Sequence, residues 1–266
     1  MGLFYNYNKE GPGIKKGGPE KRTFVVFLET LFRNIWKMIP VSFIYCLLFF
    51  IPVGFSAVGM TNVTRSLSRD KHTFGVSDFF TAIKKNWKQA ISVGIINNIV
   101  LALILFNISF FSATEGITGT FAGIIGLGVS IFIAIVFTVM KFYIWFIVIT
   151  FDMKLKQIYL NSFKFFVVNL KNNFIMLFAH LLFWAIIILL WYAFAGPVVA
   201  AVTGMLLIFF YPTYHYLVIQ FGVFSSIKKY MIDPYYAEHP DADIEKRRAL
   251  GIDVGDKEEP DFQDLI

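Results

Sequence analysis

The sequence predicts an all-α fold, a polytopic transmembrane helical bundle of five to six spans. Three observations carry that expectation. Only 16% of the 266 residues are charged while 57% are hydrophobic, against about 25% charged in an ordinary soluble domain. Apolar runs of a length that can cross a bilayer recur along the chain. A basic, aromatic, amphipathic segment that leads into an apolar run occurs twice. In the first copy Phe80, Asn86 and Lys88 precede a span; 83 positions later Phe163, Asn169 and Lys171 do the same.

The chain divides into an N-terminal arm (1–22), a helical membrane domain (23–230) and an acidic tail (231–266). The arm is polar, basic and rich in glycine and proline. It has no apolar stretch of the kind a secretory signal needs. Gly11-Pro12-Gly13 is a turn and not a phosphate loop, since no Gly-Lys-Ser/Thr ending follows. Thr23 to Met38 has helical periodicity: Phe24, Phe27, Leu28, Leu31, Ile35 and Met38 recur at three- and four-residue steps, and Glu29, Arg33 and Lys37 form one polar stripe. Such a helix lies along the interface or begins a tilted span.

Ile39 to Met60 is apolar but interrupted by Pro52, Gly54 and Gly59. Either one kinked span or two segments meeting at a turn fits. Thr61 to Gln89 is basic and ends in the first amphipathic motif. There Phe79, Phe80, Ile83 and Trp87 are expected on one face and Lys84, Lys85 and Lys88 on the other. Spans follow at 90–112, 121–150, 174–195 and 198–226, the last kinked or shortened at Pro212. Gly119-x-x-x-Gly123 permits close helix contact. The tail carries eleven acidic and four basic residues, leaving +13 on the rest of a chain whose net charge is +6. A short helix is expected near Ala242 to Leu250.

Charge sets the orientation. All 24 lysines and arginines fall in 1–38, 61–89, 141–173 and 225–266, and none in 112–120 or 195–198. The positive-inside rule puts these basic regions, and both termini, in the cytoplasm. Residues 38–61 must then cross twice or not at all. A hairpin satisfies this: a span from about Leu28 to Ile51, a turn at Pro52-Val53-Gly54 and a short return to Arg65, re-entrant if other helices cover its backbone. Five spans with the N-terminus outside is the alternative.

Asn34-Ile35-Trp36, then Pro52 before the small-residue stretch Gly54 to Gly59, then Arg65, the motif from Phe80 to Lys88 and its span resemble the YesL-like bacterial integral membrane proteins, a family of unknown function. The resemblance covers roughly Arg22 to Phe221. The family has Ala-Thr-Ala after its proline where this chain has Val53-Gly54-Phe55. The resemblance implies a multi-span protein of the bacterial plasma membrane with a connection to carbohydrate transport. It implies no catalytic residues.

The candidate chemistry is sparse. Asn97 and His180 each stand eleven residues, about three turns, after the motif asparagines. Intramembrane polar groups face a bundle interior or cavity. They suggest a polar site of Asn97, Asn98 and His180, with His215 in the second cluster, Tyr211 to His215. Interhelical hydrogen bonding without a ligand, about 0.6 kcal/mol per bond, explains the same residues. The motif residues Lys84, Lys85, Asn86, Trp87, Lys88, Asn169 and Lys171 form a candidate interfacial surface. Cys46 reads as a small buried hydrophobe. The expected spans at 90–112, 121–150, 174–195 and 198–226 hold no acidic residue, and His-Glu-x-x-His, Gly-x-Ser-x-Gly and Walker patterns are absent. An enzyme is therefore not expected, nor a metal or cofactor. Lys and Phe interleaved could stack on RNA, but their place directly before spans points to lipid, so no nucleic-acid partner is expected. Two functions remain: an accessory or regulatory component associated with transport, docking a membrane-protein partner, or a small-solute carrier with a polar site between its spans. A missing charged coupling residue in the membrane core weighs against the carrier.

Overall fold

The computed structural model describes residues 23–51 and 54–239, all helical apart from short connections. The helices are α1 (Thr23–Arg33), α2 (Ile35–Phe49), α3 (Phe55–Leu67), α4 (Val76–Ala113), α5 (Phe121–Thr150), α6 (Leu155–Val168), α7 (Leu170–Phe194), α8 (Pro197–Met205), α9 (Tyr211–Ile227) and α10 (Asp233–Glu238). Short π-helical segments at Leu206–Phe210 and Lys228–Ile232 join α8 to α9 and α9 to α10. The arm, Pro52, Val53 and the expected tail helix near Ala242 lie outside the described residues.

Among the described residues, four helices are long and apolar enough to cross a membrane: α4, α5, α7 and the continuous stretch Pro197–Glu238. A fifth is counted only if α1 and α2, bent by 78°, form one span. The expected all-α membrane bundle is thus observed, with four to five candidate spans among the described residues. Leu28 to Ile51 is not one helix, because the chain leaves helical geometry at Asn34 (φ −105°, ψ 7°). The Asn34 amide holds that corner by donating to Thr30 O at 2.9 Å. From there α2 and α3 form a hairpin whose arms, 15 and 13 residues, reach only about 22 and 20 Å at 1.5 Å per residue. Neither arm alone matches a hydrocarbon core of about 30 Å.

Both ends of the hairpin lie at one end of the bundle. Arg33 pairs with Asp70, just beyond α3. Lys37 and Val41 of α2 lie against Gly75, at the start of α4. The antiparallel run of α4, α5, α7 and α8–α9 brings Lys84, Lys154, Lys171 and Lys228 to that same end, here the basic end. The loops 114–120 and 195–196 mark the other end.

The amphipathic motif and its span are one helix, α4, interrupted at Asn86 (φ −116°, ψ 15°). Asn169 (φ −108°, ψ 37°) makes the corresponding break between α6 and α7. The side chain of Asn86 donates to Ala82 O at 2.9 Å, as that of Asn34 does to Thr30. Asn169 instead donates to Tyr143 Oη at 2.6 Å, which ties its corner to α5. An amide that bonds its own preceding turn competes with the helix ladder, and the helix bends there. The face of the first motif differs from expectation. Phe79 and Ala82 are buried, while Phe80 and Trp87 are exposed beside the lysines.

Burial is concentrated toward the basic end. There α3 is the interior element, with nine of its thirteen residues buried. It is not an apolar helix. Its Ser, Gly and Thr side chains are small, and this lets α2, α4, α5 and α9 approach closely. A Cβ on Gly59 would stand 2.6 Å from the ring of Phe79. Polar bonds fix α3 to three neighbours. Arg65 Nη1 donates to Ile149 O at 3.2 Å and Thr150 Oγ1 at 3.1 Å, capping the end of α5. Asn62 donates to Asp78 O at 3.3 Å. Gln220 Nε2 donates to Thr61 O at 3.2 Å. The halves of α4, α5 and α7 toward the loop end leave Ile99, Phe106, Phe132 and Leu189 exposed, as helices solvated by lipid do.

Gly119-x-x-x-Gly123 does not join two spans. Gly119 has φ +81° in the turn before α5, and a Cβ on Gly123 would collide with Ile117 O of that turn. Substituting Gly59→Ala is expected to destabilise the fold by about 1–3 kcal/mol, because a buried side chain is forced against a ring that cannot move freely. Thermal unfolding in detergent reads this as a lowered midpoint. The loss should shrink when Phe79→Leu first opens the space; equal losses on both backgrounds would refute the packing argument.

Candidate functional site

Above α3 the helices part and enclose a cavity of about 530 Å³. Its size falls within the range of small-molecule sites, roughly 300–1,000 Å³. Ser56, Ala57 and Thr61 of α3 form its floor. Asn97 and Asn98 come from α4, Thr138 and Lys141 from α5, and His215 from α9. Tyr45, Phe142, Trp145 and Tyr216 supply aromatic wall. The hairpin begins its return at Gly54, also at the cavity, with φ +72°. A Cβ there would lie 2.8 Å from Ala90 O and closer still to Trp145, so glycine is required twice over.

The depth of the cavity follows from helix rise. Measured from the loop end, Asn97 is about 24 Å along α4, Lys141 about 30 Å along α5 and His180 about 21 Å along α7. The polar groups therefore share one layer, in the half of the bilayer nearer the basic end.

Asn97 is 6% exposed. Its Oδ1 accepts from the Tyr159 hydroxyl of α6 at 2.9 Å. Its Nδ2 has no hydrogen-bond partner among the described residues. A buried donor left unmade costs about 1–3 kcal/mol, so the sequence keeps at this point a group that a ligand could satisfy. Lys141 adds an ammonium to the same cavity. Among the described residues it has no ion-pair or hydrogen-bond partner. Lys141 falls inside the expected span 121–150. With α5 extending nine residues further, to Thr150, this lysine is inside the bundle.

His180 stands behind His215 and does not line the cavity. Its Nδ1 donates to Met176 O at 2.6 Å. In a neutral ring this leaves Nε2 as acceptor, 2.7 Å from His215 Nδ1. His215 Nδ1 then carries the hydrogen, and His215 Nε2 is the remaining acceptor. Phe142 stacks on His180 with ring centroids 5.4 Å apart. The cavity thus offers cationic and amide donors together with an imidazole acceptor. Asn97 and His180 are not direct partners: one bonds Tyr159 of α6, the other His215 of α9. The equal spacing from Asn86 and Asn169 does not carry over to a shared face, because both asparagines break the helix.

Pro212 explains the shape of the neighbouring wall. It has no N–H, so it leaves the Ile208 carbonyl free of a helical partner. The chain relaxes into the π-helical segment there, and Cys46 Sγ donates to Ile208 O at 3.5 Å. The cysteine expected to be merely buried is partly exposed and caps this carbonyl. Ser42 and Thr213 share a hydrogen bond of 2.8 Å that fixes α2 to the same break.

The motif residues Lys84, Lys85, Trp87, Lys88 and Lys171 lie exposed at the basic end, with Asn86 and Asn169 at the helix breaks. The Lys88 ammonium sits 5.6 Å from the Trp87 ring, as in an interfacial cation–π pair. The guanidinium of Arg69 stands 4.3 Å from the ring of Phe224, and none of its nitrogens has a hydrogen bond among the described residues. Burial, with Arg65 adding repulsion, lowers it to about 9. No group of three or more His, Cys, Asp or Glu able to hold a metal occurs among the described residues.

Residues 31–108 match a family described as a protein of unknown function, DUF624. The matched stretch runs from the end of α1 through the α2–α3 hairpin and most of α4. It includes the cavity floor, Asn97 and Asn98. Lys141, His180 and His215 lie beyond the DUF624 match. No curated protein and no solved structure shows significant similarity to the chain.

Tyr159→Phe removes the donor to Asn97 Oδ1 and is expected to lower stability by about 1–3 kcal/mol. The midpoint of thermal unfolding measures this. On an Asn97→Leu background the same change should cost much less, since the amide it serves is gone.

Proposed function

We propose that this chain is a non-enzymatic membrane protein, an accessory or regulatory component associated with carbohydrate transport, that works by binding a ligand in the cavity between its helices. One observation carries this reading: among the described residues, the buried Asn97 amide has a free donor in a cavity that also holds the unpaired ammonium of Lys141. Packing alone favours neither group. Each gains from a ligand with anionic or hydroxyl oxygens, and the aromatic wall suits the apolar faces of a sugar.

The basic end belongs in the cytoplasm of a bacterium on this reading, since lysines and arginines resist translocation. The YesL-like resemblance adds the link to carbohydrate systems. The exposed motifs around Asn86 and Asn169, read as a repeated unit, offer a lysine-rich surface to anionic lipid or a transporter subunit. A carrier is the second reading. It is favoured by Lys141, a charge at the site, and by the broken stretch Leu206–Tyr211, since carriers build sites from interrupted helices.

The test uses purified protein in detergent and in proteoliposomes. A panel of monosaccharides and sugar acids should contain members that raise the unfolding midpoint. Saturation at a hundred times Kd is worth about 2.7 kcal/mol. Lys141→Met should abolish the shift. Proteoliposomes holding only this protein should show no uptake of the same compounds. Uptake that Lys141→Met eliminates would replace the accessory reading with the carrier, and no shift from any compound would remove sugars as the ligand.

A further inference from the structure

The way into the cavity identifies the kind of molecule that can reach it. Toward the basic end it is closed, because its α3 floor is buried under the neighbouring helices. At its rim the residues are exposed: Phe49 and Ile51 at the hairpin tip, Asn98 and Leu101 on α4, and Thr138 on α5. Phe49 is 62% exposed, and it is apolar. Leu101 lies about 18 Å and Thr138 about 26 Å from the loop ends of their helices. Both depths are within a hydrocarbon core of about 30 Å. The opening therefore faces acyl chains. A soluble ligand would have to pass through lipid to enter, whereas a lipid already stands at the door.

The interior completes the argument. A molecule of the leaflet at the basic end carries its polar head at the depth of Lys141 and its tails toward the loop end. Lys141 supplies a cation and Asn97 a free N–H. His215 Nε2 supplies an acceptor for a hydroxyl. We propose that the cavity takes the anionic, hydroxyl-bearing headgroup of a membrane amphiphile, drawn in sideways from the leaflet at the basic end while its chains stay in the bilayer. This rests on the reading that the cavity binds a ligand, and it changes the ligand from a free solute to one delivered by the membrane.

The experiment follows retained lipid by native mass spectrometry of the full chain, released from detergent after exchange against stated probes. The probes are phosphatidylglycerol, phosphatidylcholine and soluble glycerol 3-phosphate. The expected result is one phosphatidylglycerol per protein, retained at least tenfold better than phosphatidylcholine. Lys141→Met should lower that retention at least tenfold, and Lys141→Arg should restore most of it. Lys229→Gln, an exposed lysine outside the repeated motif, should leave it unchanged. Thr138→Trp, an exposed position that narrows the mouth without touching the core, should weaken lipid retention even if Lys141→Met fails to fold.

Phosphatidylglycerol held equally by wild type, Lys141→Met and Thr138→Trp would be annular lipid and would overturn the inference. Binding of glycerol 3-phosphate that depends on Lys141, with no lipid retained, would overturn lateral entry yet leave the cavity a ligand site. Binding of none of the probes, together with no shift from sugars or sugar acids, would remove the ligand-site reading as well.

Discussion

Peptide groups inside a bilayer must find partners within the protein, and this constraint governs the structure. The chain contains a hairpin whose arms are too short to cross. Such a segment persists at membrane depth only where other helices cover it. α3 meets that demand by becoming the centre of the fold. It is sheathed by α2, α4, α5 and α9, and its small residues let their backbones come close. Its polar side chains then act as anchors. Asn62, Arg65 and the carbonyl of Thr61 each reach a different neighbour. Apolar side chains could fill the same space, but they would not define the register of three helices at once.

The cavity is a consequence of this arrangement. A hairpin that turns back at Gly54, beside Ala90 and Trp145, leaves unfilled volume beyond its tip, and the long helices continue past it. The volume is not lined as a packing defect would be. A defect in an apolar core is dry and lined by aliphatic side chains. Here Lys141, Asn97 and His215 converge, while Tyr159 and His180 stand behind them and orient them. The Pro212 break gives the α9 wall its curvature, with Cys46 satisfying the carbonyl that the proline releases.

Much of the fold was legible in the sequence. Long apolar runs mark α4, α5, α7 and the last span, because a bilayer demands length and hydrophobicity and little else. The restriction of Lys and Arg to alternate connections marks which ends lie together. The hairpin was legible from Gly54 and from the shortness of the run. Its central position was not, since nothing in Ser56, Thr61 or Thr64 distinguishes a buried polar helix from an exposed one. Of the site, Asn97, Asn98 and His215 were readable as polar residues in spans. Lys141 was not, because a lone lysine within the expected span 121–150 does not by itself show that it faces a cavity. The α5 helix runs nine residues beyond that charge. Its continuation packs against α3 and α6, which only tertiary structure reveals. The outward placement of Phe80 and Trp87 was missed for a related reason: the motif helix packs through Phe79 and Ala82 against α3, and its larger aromatics are left for the interface.

The central claim is that α2 and α3 enter and leave on one side, so that α3 can close the cavity from the basic end. Single cysteines at Lys37, Lys71, Lys229 and Glu115, on a Cys46→Ser background, test it by labelling with an impermeant maleimide in intact and opened cells. The account predicts that Lys37→Cys, Lys71→Cys and Lys229→Cys label together from one side and Glu115→Cys from the other. Labelling of Lys37→Cys with Glu115→Cys would mean that residues 38–61 cross the membrane once. The re-entrant hairpin, and the closed floor built on it, would then be wrong.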